Sequence, residues 1–211
     1  MSTESQKSTK NAARNTVAQA NNIQNDIRNI VIQALKKGQM DPEAIRQTLN
    51  EVVEGACEGA KIKPHENAEA LKQVANGIDT ALKQAAEASK LAIEEASSNV
   101  QDFSDHDLKR ALNDLQDLES LFLGSLSKVA SQGKETAHET LENLLSHIQS
   151  SGSAVGQSVN EILTGLHRDL SEGGRLQKIQ AADIAKATGA TIATIASGVL
   201  AGIADSLQPK G

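Results

Sequence analysis

Apolar residues recur along most of this chain at steps of three and four, the spacing that puts them on one side of an α-helix. The first such stripe is Val17, Ala20, Ile23, Ile27, Ile30/Val31 and Ala34. It predicts a helix over 16–37, with Lys36 and Lys37 suited to the carbonyl end and Gly38 as its stop. A second helix starts at Asp41-Pro42-Glu43, an N-cap followed by a proline at the first helical position. Its stripe is Ile45, Leu49, Val52/Val53, Ala56 and Ala60, with Gly55 and Gly59 weakening its end and Pro64 closing it.

A long helix is predicted over 65–100, seamed by Leu71, Val74/Ala75, Ile78, Leu82, Ala85, Ser89, Ile93, Ala96 and Val100. Ser104 and Asp107 have capping-box spacing, with Asp in place of Glu. They open the most apolar helix, which carries Leu108, Leu112, Leu115, Leu118, Phe122, Leu126 and Val129, with Leu121 and Leu123 broadening its face.

Between residues 133 and 170 the pattern changes. One face reads Gly133, Ala137, Leu141, Leu144, Ile148, Gly152, Val155, Val159, Leu163, Leu166 and Leu170. Its steps of 4, 4 and 3 give an 11-residue period. About 3.67 residues per turn keeps a stripe on one side of a nearly straight helix instead of supercoiling it. Such a face can lie on a surface or along a neighbouring helix. The Ser/Gly run over 150–156 divides the stretch into one helix or two. After the Gly173-Gly174 turn, residues 187–204 are uncharged over 18 positions, the lower limit for a membrane span. Gly198 and Gly202 there have G-x-x-x-G spacing, which lets two helices approach closely. A buried or self-associating helix and a membrane-inserting one are both open at this point.

These patterns predict an all-α fold of long amphipathic helices, arranged as an antiparallel bundle. Residues 1–14 read as a disordered basic tail, 15–131 as capped helices of a bundle, and 132–211 as the 11-residue-period and glycine-spaced helices of the same domain. Composition sets the thickness of the core. Leu, Ile, Val and Phe make up about 23% of the 211 residues, Ala contributes 30 more, and Phe103 and Phe122 are the aromatics. Few aromatics and much alanine imply thin helix seams instead of a broad core. A single cysteine, Cys57, excludes an internal disulfide framework and fits a cytoplasmic protein.

Charge narrows the partner classes. Residues 1–40 carry a net +4, residues 41–160 a net −10, and the remainder is neutral, giving −6 overall. The acidic middle argues against nucleic acid. The basic amino terminus is either a solvated tail or an arm that touches an anionic partner.

Candidate chemistry is sparse. The chain has no phosphate-loop, dinucleotide or nucleophile-elbow motif. Glu135-Thr-Ala-His138 has metal-ligand spacing, but a dimetal bundle site needs a second Glu-x-x-His, and none occurs. Asp105-His106-Asp107 sits where acidic residues favour a helix start, and Cys57 lies near Glu54 and Glu58 with no cation to activate it. His65, His147 and His167 are isolated. No catalytic residue, cofactor or metal is expected, and the chain is read as non-enzymatic.

The long amphipathic stretches over 68–100 and 133–170, the Ala/Gln/Ser-rich composition and the lack of Trp and Tyr resemble the phasins, helical proteins that coat polyhydroxyalkanoate granules in bacteria. The resemblance implies a non-enzymatic, self-associating protein on a hydrophobic polymer or lipid surface and carries over no individual residue. The spacing itself marks Leu141, Leu144, Ile148, Val155, Val159, Leu163, Leu166 and Leu170 as a surface or helix-packing face. An acidic chain short of aromatics fits a neutral surface better than an anionic bilayer. The alternative is a soluble bundle that scaffolds proteins or self-assembles, with Gly198 and Gly202 as a close helix contact and 187–204 available for membrane insertion.

Overall fold

The computed structural model describes residues 2–19, 21–37, 42–62, 67–98, 105–132 and 135–172. Among these the protein is an all-α bundle of seven helices: α1 (Ser2–Gln19), α2 (Ile23–Lys37), α3 (Pro42–Ala60), α4 (Asn67–Ser98), α5 (Asp105–Gln132), α6 (Glu135–Ser151) and α7 (Ala154–Glu172). Residues 173–211, and with them the 187–204 stretch, Gly198 and Gly202, lie outside the described residues.

Helices separated by one element pair most extensively. α1 lies along α3, α2 along α4 and α3 along α5, while α7 rests mainly on α4 and α6 on α5. One continuous core results. Ile27, Val31, Ile32 and Leu35 of α2 and Ile45, Leu49, Val52 and Val53 of α3 enter it. So do Leu71, Ile78, Leu82 and Ile93 of α4 and Leu115, Leu118, Phe122 and Leu126 of α5. Each set repeats at helical spacing, as the stripes in the sequence require. Along α4 much of the remaining seam is alanine, namely Ala70, Ala75, Ala81, Ala85, Ala86, Ala88 and Ala92. A fully buried Leu or Phe stabilises by about 1.5–3 kcal/mol over an exposed one. Alanine adds far less, but it lets helix axes approach.

The amino terminus differs from its expected form. Residues 2–19 are helix α1, docked on α3, where a disordered tail over 1–14 was predicted. The first predicted helix is in fact two, broken at Asn21 and Asn22. The Asn22 side chain accepts from the Asn25 amide at 3.4 Å, capping α2. The docking of α1 needs few apolar atoms because its partner is shaved to backbone. Ala13 and Val17 are its buried apolar residues among those described. Opposite them stand Gly55 and Gly59 of α3. A Cβ at Gly55 would collide with the Lys10 carbonyl, and one at Gly59 with the Arg14 carbonyl and Val17. The matched steps from Lys10 to Arg14 and from Gly55 to Gly59 show that the two helices run in the same direction.

Gly55 and Gly59 therefore do not merely weaken α3; they are its contact face. The spacing is the same G-x-x-x-G found at Gly198 and Gly202. Lys10 closes this contact, reaching Glu54 at 3.2 Å and Glu58 at 2.9 Å. The Glu58 hydrogen bond is the main cause that holds the Lys10 ammonium above its ordinary value, against the opposing effect of its burial. The positive charge of the amino-terminal region is thus directed in part at the protein's own acidic α3.

Candidate functional site at the α6–α7 junction

The 11-residue face predicted for 133–170 spans two helices. Gly133 falls between α5 and α6, outside the described residues, and Gly152 ends α6. Gly152 has φ of 82°, in the left-handed region that favours glycine, and its amide donates to the Ile148 carbonyl at 2.7 Å. Ser153 then starts α7.

The face is turned inward. Leu141 of α6 and Val155, Val159 and Leu166 of α7 are buried. Leu144, Ile148 and Leu163 are partly buried against the same core. The Leu170 side chain lies outside what the structure describes. Leu145 and Ile162 complete the seam, although the strict period omits them. The α-helical repeat of 3.6 makes the buried stripe drift around each helix, so adjacent positions replace one another.

The start of α7 is held by side chains from two other helices. Asp79 of α4 accepts from the Ala154 amide through Oδ2 and from the Val155 amide through Oδ1, both at 2.8 Å. These are the first two amides of α7, which no intrahelical carbonyl can reach. Ser153 is the N-cap: its Oγ accepts from the Gly156 amide at 2.9 Å. The same hydroxyl donates to Oε1 of Glu119 on α5. Ser153 is 2% exposed, so both bonds are made away from solvent. Gly156 makes room for the Glu119 carboxylate, which occupies the position a Cβ would take. Two carboxylates therefore meet the positive end of α7, where the helix dipole favours negative charge.

The sequence singled out neither carboxylate. Asp79 and Glu119 read as polar-face residues of α4 and α5, and their target lies 75 and 34 residues further on. The one local signal was the Ser150–Gly156 composition, which marks a break without naming its partners.

Other expected candidates take structural positions. His138 Nδ1–H donates to the Ala130 carbonyl at 2.8 Å, tying the start of α6 to the end of α5. Cys57 is buried, and burial is the main cause that pushes its thiol up to about 11. Among the described residues, no three His, Cys, Asp or Glu side chains converge as a metal site would require, and no helix is long and apolar enough to cross a membrane. His147 is exposed, and its carbonyl accepts from the Ser150 and Ser151 hydroxyls. His65 and Ser104 are outside the described residues, as are the side chains of His106 and His167.

Fold and junction together define a class: an all-α bundle of amphipathic helices whose last described helix is anchored by a tertiary carboxylate cap. The chain belongs to a family of unknown function, DUF6781, which matches residues 1–209. Comparison with curated proteins and with solved structures gave no match.

Proposed function

We propose that this protein is a non-enzymatic amphipathic helical protein that coats or binds a hydrophobic surface, such as a polymer storage granule or a lipid interface, in the cytoplasm. The observation that carries this reading is the seam of α6 and α7. Leu141, Leu145, Val155, Val159, Ile162 and Leu166 line one side of two preformed helices separated by a two-residue break. Ala70, Ala75, Ala81, Ala85, Ala86, Ala88 and Ala92 make up much of the buried side of α4, beside its buried Leu, Val and Ile residues. Exchanging helix–helix for helix–surface contact keeps every helix intact and replaces one apolar burial by another. The resemblance to phasins supports the same reading, and the acidic middle of the chain favours a neutral surface over an anionic one.

A second reading has its own observation. Among the described residues Ile62 and Leu91 are the exposed large apolar side chains, so the helices already cover one another. That arrangement suits a soluble bundle that scaffolds proteins or self-assembles, with Gly198 and Gly202 as a contact between copies and 187–204 as a membrane-inserting stretch.

Flotation of the full chain with a phosphatidylcholine-coated triolein emulsion, read beside circular dichroism and light scattering, separates the two. The surface reading expects the protein in the floating layer with its helicity kept. A protein that stays in the aqueous layer, melts in one sharp transition and shows a concentration-dependent mass supports the second reading and refutes the first.

A further inference from the structure

We propose that Asp79 and Glu119 latch α7 into the bundle through its amino-terminal turn, and that α7 swings out about Gly152 to lay its inner face on a neutral apolar surface. The inference rests on the surface-binding reading above and names the part of the chain that performs it.

Three features of α7 point there. Its cap is divided between itself and the rest of the protein. Ser153 satisfies the Gly156 amide locally, whereas the Ala154 and Val155 amides depend on Asp79 of α4. On opening, the local bond stays and the two outer amides pass to water, so α7 leaves as an intact helix. Its seam is also partly polar. Val155, Val159, Ile162 and Leu166 are buried together with Ser153 and Ser158. Among the described residues this face buries fewer apolar side chains than α5, where Ala111, Leu115, Leu118, Phe122, Leu126, Val129 and Ala130 lie beside Ser125. Another apolar surface can replace the burial it finds on α4. Finally, the joint is one positive-φ glycine, at which backbone dihedrals can change without carrying a side chain through a forbidden region.

The latch is polar and the binding residues Val155, Val159, Ile162 and Leu166 are apolar, which separates holding from binding. Removing the Asp79 carboxylate leaves Val155, Val159, Ile162 and Leu166 unaltered. Loss of the latch should therefore release α7 without spoiling the surface it presents.

The test compares the full-length wild type with the double variant Asp79→Asn, Glu119→Ala, which removes both latch carboxylates and keeps the Ser153 cap on the Gly156 amide. Hydrogen exchange followed by mass spectrometry reads the latch. Amides over 156–170 should exchange at least about tenfold faster in the variant, while those over 45–58 in α3 change less than about twofold. No selective acceleration of α7, or acceleration as large in α3, overturns the latch. Gly156→Ala gives a milder second variant. Its new methyl must displace the end of the Glu119 side chain, and a smaller selective acceleration of α7 is expected.

Flotation with the phosphatidylcholine-coated triolein emulsion reads the use of the face. The double variant should reach the floating layer at a severalfold lower emulsion concentration than wild type. If α7 is selectively loosened and wild type floats, but the variant floats no better, this inference fails and the surface reading stands. If α7 is loosened and neither protein floats, the surface reading fails, and the assignment of the α7 face with it.

Discussion

Replacing Gly55 by alanine should weaken the docking of α1, although the same exchange in an open part of a helix stabilises the protein. Alanine is intrinsically better than glycine in a helix interior by about 0.8–1.0 kcal/mol. At Gly55 the added methyl meets the main-chain carbonyl of Lys10, which cannot rotate aside as a side chain would. Overpacking of this kind costs about 1–3 kcal/mol. The net expectation is a loss of about 1 kcal/mol. An upper bound follows from what α1 contributes. Its burial of Val17 is worth about 1.5–3 kcal/mol. The partly exposed ion pairs of Lys10 add about 0.2–1 kcal/mol. Once α1 has detached, further clashes with it cost nothing. The double variant Gly55→Ala, Gly59→Ala should therefore level off near about 2–4 kcal/mol and fall short of the sum of the singles.

Urea unfolding of the full chain, with hydrogen exchange of the α1 amides, measures both quantities. Gly124→Ala is the control: nothing lies within 4 Å of its added methyl, and it should stabilise by several tenths of a kcal/mol. A Gly55→Ala protein as stable as the Gly124→Ala control would refute the reasoning. Strict additivity of the two α3 substitutions beyond the bound would refute it equally.

Further expectations concern single side chains. Cys57, with its thiol pushed up to about 11, should be alkylated by iodoacetamide at pH 8 far more slowly in native protein than in urea; equal rates would contradict its burial. Glu51 is raised above 4.5 chiefly by desolvation and next by Glu54, so folding favours its neutral form. Stability from this group is present below 4.5 and lost as pH rises through the folded-state value. Glu51→Gln should accordingly raise the melting temperature at pH 7 more than at pH 4, and an equal rise at both would refute the assignment. Phe122→Ala removes the largest fully buried side chain among those described and should cost about 3–5 kcal/mol by urea unfolding. The raised Lys10 should hold its contribution below pH 10.5 and lose it above the folded-state value; Lys10→Met should leave no such alkaline loss in α1 protection.

Where an element was legible in the sequence, its apolar side chains were large and its start was chemically marked. Pro42 opens α3 as predicted, and Leu115, Leu118, Phe122, Leu126 and Val129 are buried in the order their spacing required. Helix α1 escaped because the information for its docking lies elsewhere. Ala13 and Val17 make a weak stripe, and the closeness that compensates is supplied by Gly55 and Gly59, which on their own helix look like defects. The α6–α7 break was visible as Gly152 among serines, but its anchoring was not. A carboxylate capping a helix 75 residues away follows no local rule, and Asp79 differs in no sequence feature from other acidic residues of exposed faces. Local propensity thus located the helices, while the contacts that assemble them depend on side chains too small or too polar to register in a periodicity.

The next-but-one pairing of helices also has a consequence for biosynthesis. The contact between Lys10 and Glu54 spans 44 residues, so α1 lacks its main docking partner until the end of α3 has left the ribosome. The same delay applies to α2, which waits for α4, and α3, which waits for α5. Nascent chains therefore carry finished helices with uncovered apolar sides for several helix lengths of translation. In that interval the growing polypeptide is sticky, and its yield in a cell should depend on translation speed and on holding chaperones more than the stability of the completed bundle would suggest.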